Sequence, residues 1–116
     1  MIEPLAFYKN LANETRLKCL LLIQQEGELH MSELMQALHE LQPKITRHME
    51  PLLKSHLLLG NQKGQWVYYR LNPNLPLWVK TVLAQTAKSN FDFVEECMKN
   101  LYAMGDRPRL IKRYRD

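Results

Sequence analysis

The sequence predicts a mainly α-helical fold with one small β-hairpin. Two short helical patterns follow each other with almost no linker, the first in HMSELMQAL and the second from Gln42 onward, and a strictly alternating stretch, Trp66–Leu71, comes after them. A helix-turn-helix followed by a hairpin is the winged-helix arrangement. With 116 residues, of which 46% are hydrophobic and 24% charged, we expect one domain over residues 1–105 and a flexible basic tail over residues 106–116.

The first two predicted helices lie before the helix-turn-helix. The first begins near Glu3 and Pro4, and it carries more exposed aromatic surface than one small helix needs, so we expect it to pack on a partner subunit. The second has Asn13 as its N-cap and ends at Gly27. Cys19 lies in an apolar run of this helix, where we interpret it as a buried, unreactive thiol.

The helix-turn-helix itself consists of the two short patterns. In the first, apolar residues share one face and Ser32 is the expected N-cap. The second begins at Gln42, because Pro43 suits the first turn of a helix. Pro51 lies inside this second pattern, so we expect the helix to kink or end near Glu50.

The start of the second helix carries a polar, cationic face opposite its apolar stripe. Amide, ammonium, hydroxyl and guanidinium groups there match the needs of contacts to phosphates and base edges in a DNA major groove. The candidate DNA-binding residues on this face are Gln42, Lys44, Thr46 and Arg47. A solvated surface helix has similar residues, but residues 42–65 carry four basic and one acidic side chain, whereas residues 1–41 carry three basic and six acidic ones. The clustered charge favours the DNA interpretation.

The predicted hairpin follows the turn-forming residues 60–65. Its second strand should turn Val67, Tyr69 and Leu71 toward the core, with Trp66, Tyr68 and Arg70 facing outward. Lys63 near the hairpin tip is expected to touch a flanking phosphate.

One long helix is predicted from Pro76 to Leu101. Its apolar stripe is larger than one small core can cover, which indicates a homodimer formed through the first and last helices. The expected interface residues are Leu5, Tyr8, Trp78, Val82, Leu83, Val94 and Cys97.

Several protein classes are excluded by composition and motifs. The chain has no Gly-rich phosphate loop, no usefully spaced pair of carboxylates and no Cys/His constellation, so we expect no enzymatic activity. It has no apolar run of membrane-spanning length and no secretory leader pattern, and its two cysteines form no CxxC motif. We therefore expect a cytoplasmic protein with free thiols and no membrane partner.

Four segments resemble, in order and spacing, the ArsR/SmtB family of winged-helix repressors, and most of all its arsenical-resistance repressors. They are LANETRLKCLLLI, GELHMSELMQAL, QPKITRHMEPL and GQWVYYRLNPNLP, so that the resemblance covers residues 5–79. It implies a dimer that holds a double-stranded DNA operator until an inducer binds. It also carries the DNA contacts over to the four residues of the helix face and to Lys63. His48 lies toward the Ile45 and Met49 side of the helix, so we interpret it as a packed, supporting residue.

The inducer is where the sequence departs from this family. Arsenic sensors of this type have thiolates at the positions of His30, Ser32 and often Met35, and the zinc and nickel sensors place His and carboxylates in the last helix, where this chain has no histidine. We therefore expect no cofactor and name His30, Met35 and Cys97 only as candidate metal ligands.

Two other functions stay open at this point. The family's persulfide sensors pair a cysteine of the second helix with one of the last helix, which would be Cys19 and Cys97 here, although Cys19 is displaced by two residues, or about 200° around the helix. A thiol-responsive regulator could use Cys97 with or without Cys19. The other alternative is a winged-helix module for protein contacts that does not bind DNA.

Overall fold

The computed structural model describes residues 2–63 and 66–105, apart from the side chains of Lys63 and Trp66. These residues form six helices and three strands. In chain order they are α1 (Pro4–Leu11), α2 (Glu14–Glu26), β1 (Glu28–His30), α3 (Met31–Leu38), α4 (Gln42–Lys54), β2 (Leu58–Lys63), β3 (Trp66–Leu71), α5 (Leu77–Ser89) and α6 (Phe91–Tyr102). The mainly helical winged helix-turn-helix fold is confirmed, and the tail at residues 106–116 lies outside the described part of the chain.

Helix α2 lies at the centre of the core. Residues 19–23 are all fully buried, which explains why this run is apolar without a helical period. Asn13 caps the helix by accepting a hydrogen bond from the Arg16 amide at 3.0 Å, and Gly27 ends it with a φ of 87°, as predicted. Helices α1, α4, α5 and α6 and strand β3 pack around it.

The sheet has three antiparallel strands in the order β1-β3-β2. In the predicted hairpin Leu58 pairs with Leu71 and Lys63 with Trp66, so that β2 takes in residues 60–63, which we had assigned to the turn. Strand β1 was not predicted, because three residues are too few to show an alternating pattern. It pairs Glu28 with Arg70 and His30 with Tyr68.

The added strand changes the environment of Tyr68. We expected this side chain to face outward, but it is only 5% exposed. The His30 ring stands edge-on to the Tyr68 ring, with centroids 5.3 Å apart, and α3 also packs against β3. The outward prediction was wrong because α3 and the His30 side chain of β1 cover this face of β3.

Helix α3 starts with a histidine cap and not with the Ser32 cap that we expected. The Ser32 amide donates to Nδ1 of His30 at 3.0 Å, and the His30 amide donates to the Glu33 carboxylate at 2.8 Å, which completes a capping box. At the other end, His39 takes a left-handed conformation with a φ of 53° and stops the helix. His39 and the two residues after it connect α3 to α4, a short connection as the helix-turn-helix prediction requires.

Helix α4 runs three residues beyond Pro51, to Lys54, so of the two expectations at Glu50 the helix end is wrong and the kink stays a prediction. The helix continues because Leu52 is fully buried and Leu53 packs against the core, which outweighs one missing backbone hydrogen bond.

Replacing Pro51 by alanine is expected to stabilise the protein. The substitution restores an N–H that can bond to the Arg47 carbonyl, at the cost of a more flexible unfolded chain, for a net gain of about 2 kcal/mol. Thermal unfolding should then shift upward by on the order of 8 °C. Glu50→Ala, at the exposed neighbouring position, is the control with little expected change. A lower melting temperature for Pro51→Ala would show that the fold requires the proline conformation.

The predicted long C-terminal helix is two helices. Asn90 breaks it with non-helical dihedral angles of −132° and 45°, and its side-chain amide donates to the Thr86 carbonyl at 3.0 Å. Because of this break, α6 folds back and packs against α3 as well as α2. The Asn100 side-chain amide donates to the Ala37 carbonyl at 3.0 Å, which ties α6 to the end of α3.

Within the described residues, every helix is too short or too polar to cross a membrane.

Candidate nucleic-acid interface

The N-terminal half of α4 presents a polar face that a buried stripe holds in place. Ile45, Met49 and Leu52 are at most 1% exposed and fix the rotation of the helix on the core. Gln42, Thr46 and Arg47 are exposed on the other side. Together with Pro43 and Glu50 they line one shallow depression that is open to solvent. The predicted helix start at Gln42 is confirmed, and three of the four candidate DNA-binding residues of the helix share one accessible surface.

Lys44 has an intramolecular partner in the structure. Its Nζ forms an ion pair with Oε1 of Glu40, 2.9 Å away, and the side chain is partly buried. An exposed pair of this kind contributes only about 0–1 kcal/mol, so a phosphate can compete for the ammonium group. Lys44 is therefore available for a phosphate contact, although its positive charge is partly compensated.

Arg16 adds a fixed positive charge that the sequence analysis missed. Its Nε donates to the Asn10 carbonyl at 2.9 Å and its Nη2 donates to the Lys9 carbonyl at 3.3 Å, so the guanidinium closes the C-terminal end of α1. A positive charge in the first turn of a helix interacts unfavourably with the helix dipole. An arginine at this position in the sequence therefore indicates a contact with another part of the chain.

The surroundings of His48 show where these charges lie. The side chain is half-buried, and burial lowers its pKa below the ordinary value. The positive charges of Arg16, Arg47 and Lys44 lower that pKa further, while Glu40 opposes them. The charges of three cations thus act on one imidazole in the middle of α4, which makes this part of the surface attractive to a polyanion.

Lys63 is the last residue of β2, opposite Trp66 at the hairpin end. Its side chain lies outside the described part of the chain, so its predicted phosphate contact stays a prediction.

The residues expected at a dimer interface separate into two groups. Leu83, Val94 and Cys97 are at most 5% exposed and belong to the core of the single chain, and Val82 is half-buried against it.

The second group is exposed on α1 and α5. Leu5 is 62% exposed and Tyr8 51%, and Trp78 is also exposed. The Phe7 and Trp78 rings meet edge-on with centroids 5.1 Å apart, which joins α1 to α5. We call Leu5, Tyr8 and Trp78 the α1–α5 aromatic surface.

The three candidate metal ligands, His30, Met35 and Cys97, lie in different environments. Nδ1 of His30 is engaged by the Ser32 amide and lies 2.7 Å from the Ser32 hydroxyl, and burial lowers the pKa of the ring. Met35 is half-buried and Cys97 is buried. Among the described residues no group of three or more His, Cys, Asp or Glu side chains could hold a metal ion.

The two thiols lie close enough to influence each other. Burial and, to a smaller extent, the charge of Cys97 together raise the pKa of Cys19 from 9.0 to about 12. Burial also raises the pKa of Cys97, although the Lys18 ammonium opposes this effect. Both thiols therefore stay protonated at neutral pH, the form that is a poor nucleophile.

We expect both thiols to react slowly with Ellman's reagent in the native protein. At pH 8 the thiolate fraction of Cys19 is about a thousandfold below that of a thiol with the ordinary pKa of 9.0. The measurement compares labelling rates of native and denatured protein, with Cys19→Ala and Cys97→Ala to assign the two phases. Fast native labelling of either thiol would contradict the raised pKa values.

Comparison with known proteins gives a consistent result, although no family model matches the chain. The chain is 45% identical over 108 residues to the arsenic resistance transcriptional regulator ArsR2 of Pseudomonas putida, which covers 93% of this chain and 94% of that protein. It is 40% identical over 98 residues to the arsenical resistance operon repressor of Escherichia coli, covering 84% of each chain.

Solved structures show the same fold. HlyU of Vibrio cholerae superposes with a TM-score of 0.68 at 25% identity, covering 76% of this chain and 91% of that one. The antimony-specific transcriptional repressor AntR superposes with a TM-score of 0.60 at 20% identity, covering 82% and 79%. The fold, the exposed polar face of α4 and the identity of these relatives all indicate the same class of protein. The relatives are transcriptional regulators and not enzymes. The chain belongs to the ArsR family of DNA-binding transcriptional repressors.

Proposed function

We propose that this chain, acting in the cytoplasm, represses transcription by placing the N-terminal half of α4 in the major groove of an operator. The observation that carries the proposal is the exposed face of Gln42, Thr46 and Arg47 on a helix whose opposite stripe is fully buried. A rigid helix with such a face can bring side chains to base edges at fixed positions, which sequence-specific recognition requires.

Each side chain has a distinct chemical role in this proposal. The Arg47 guanidinium can donate two parallel hydrogen bonds to a guanine, and the Gln42 amide can donate to and accept from an adenine. The Thr46 hydroxyl, the Lys44 ammonium and the Lys63 ammonium suit phosphate oxygens, which set the position of the helix without reading sequence. Arg16 adds to the positive potential beside them.

The second part of the proposal is a homodimer formed through the α1–α5 aromatic surface. Leu5, Tyr8 and Trp78 leave an apolar area on α1 and α5, whereas α4 packs mainly against α2, α3 and β2. A second copy that covers this area would leave both α4 helices accessible to DNA. A two-fold axis then gives the two recognition helices a symmetric pair of half-sites.

The inducer is the third part. Relatives of this chain are named for arsenic resistance, but the segment between α2 and α4 offers no thiol, and His30 is committed to capping α3. Trivalent arsenic requires thiolates, and Cys19 and Cys97 are both buried and protonated. We therefore expect micromolar arsenite to leave the complex with DNA largely intact.

The position of the two cysteines supports a second candidate mechanism of release. Helices α2 and α6 pack against each other, and the charge of Cys97 on α6 acts on Cys19 on α2, which supports a pairing of the two thiols. A disulfide between them would form by loss of two protons and two electrons to an added oxidant such as diamide. It would constrain α6 relative to α2, and α6 also contacts the helix-turn-helix through α3.

One binding experiment tests these proposals together. Fluorescence anisotropy is measured with a labelled DNA fragment from upstream of the chain's own gene and with an unrelated fragment of equal length. The preformed complex is then challenged with arsenite, antimonite, zinc, nickel, diamide and a persulfide donor. We expect selective binding of the upstream fragment and no release by arsenite.

The outcomes separate the alternatives. Equal, weak binding to both fragments would support the protein-interaction module and overturn the operator proposal. Release by arsenite in Cys97→Ala as well as in the wild type would overturn our assignment of the inducer class. Release by diamide that disappears in Cys97→Ala would establish the thiol mechanism.

A further inference from the structure

Leu41 is a large apolar side chain at the tip of the proposed DNA-binding helix. It is the N-cap of α4, with dihedral angles of −79° and 156°, and it is 76% exposed. It makes no side-chain capping hydrogen bond. Leucine is among the poorest N-cap residues. Helices α1, α2 and α3 have side-chain caps from Glu3, Asn13 and His30, whereas α5 and α6 begin without one. The leucine therefore costs helix stability without burying its own side chain.

The major groove contains one apolar group that such a side chain can recognise. This is the C5 methyl of thymine, which distinguishes thymine from the other three bases. The first residues of a recognition helix are those that reach base edges in helix-turn-helix proteins. Leu41 lies directly before Gln42, whose exposed amide belongs to the polar face. If Gln42 contacts one base, the Leu41 side chain is the nearest apolar group that can reach the edge of a neighbouring base.

We propose that Leu41 is a specificity residue that packs on a thymine methyl in each operator half-site, beside the base that Gln42 contacts. The inference rests on the proposed function, because it requires α4 to enter the major groove. It adds an apolar contact to a face that otherwise reads DNA only by hydrogen bonds and charge. It also accounts for a poor capping residue at a position where serine or asparagine would stabilise the helix.

The test removes the methyl from the DNA and the side chain from the protein. The operator is first defined by footprinting, and each thymine of one half-site is then replaced by deoxyuridine, which lacks only the methyl. Wild-type protein should lose about threefold to fivefold in affinity at one position, the value expected for one buried methyl group. Leu41→Ala should bind more weakly overall and be indifferent to deoxyuridine at that position, while Leu41→Met should keep the sensitivity.

Leu41→Asn separates recognition from folding. Asparagine supplies the missing cap, so the melting temperature of the variant should rise by about 4 °C. The DNA affinity of the variant should no longer depend on deoxyuridine at that position. Equal effects of deoxyuridine on wild type and Leu41→Ala at every position would overturn the inference. If Arg47→Ala still weakens binding in that experiment, α4 remains the DNA-binding helix and only the role of Leu41 is lost. If Arg47→Ala binds normally, the proposed function fails first.

Discussion

Arg47→Ala is expected to weaken operator binding by about 1–3 kcal/mol, which raises Kd by roughly fivefold to 150-fold. The guanidinium is exposed in the middle of the polar face, one turn beyond Pro43, on a helix anchored by Ile45 and Met49. Alanine is a good helix former, so α4 should keep its position and the loss should reflect the DNA contact. Anisotropy titrations at several salt concentrations measure both the affinity and the number of phosphate contacts.

The matched control lies on the same helix. Lys54→Ala removes one positive charge from the opposite, C-terminal end of α4, where the side chain is also exposed. It should change Kd by far less than Arg47→Ala, while both variants unfold near the wild-type temperature. Equal losses in the two variants would mean that net charge, and not the N-terminal face, determines binding.

Tyr8→Glu is expected to give monomers that bind the operator about 10²-fold to 10⁴-fold more weakly, the range by which linking two modules exceeds either alone. Tyr8 is half exposed, and its ring lies 6.4 Å from that of Trp78 on the α1–α5 aromatic surface. Two buried carboxylates facing each other across a two-fold axis would be strongly unfavourable.

Sedimentation velocity at micromolar concentration measures the expected change of mass. Gln25→Glu, which adds the same charge at an exposed position of α2, should stay dimeric. Leu83→Glu is unsuitable for this purpose, because Leu83 is fully buried in the single chain and its replacement would unfold it. A monomeric wild type, or a Tyr8→Glu protein that stays dimeric, would contradict the proposed interface.

Local signals predicted both ends of α2 and the start of α4 well. Asn13, Gly27 and Pro43 act through their own backbone geometry, and the structure places the corresponding helix ends where their chemistry requires. The cap of α3 was misplaced by two residues, because a histidine ring took the acceptor role that we gave to Ser32.

Features that depend on distant residues were less predictable. Tyr68 is buried by β1 and α3, which a pattern within one strand cannot reveal. The long apolar stripe of the last helices looked like a subunit interface, but the break at Asn90 lets it fold onto the chain's own core, where it buries Val94 and Cys97. Core and interface stripes have the same spacing, so the sequence alone could not assign these residues to one or the other.

The hydrogen bond from Asn100 to the Ala37 carbonyl couples the position of α6 to that of the helix-turn-helix. In a two-fold dimer the two recognition helices must stand about 34–36 Å apart, one turn of the double helix, to enter successive grooves. If an inducer tilted α6, the helix would move α3 in both subunits and change the distance between the two recognition helices. The inducer would release DNA without competing for the α4 face, and by thermodynamic reciprocity the operator would weaken inducer binding by the same factor.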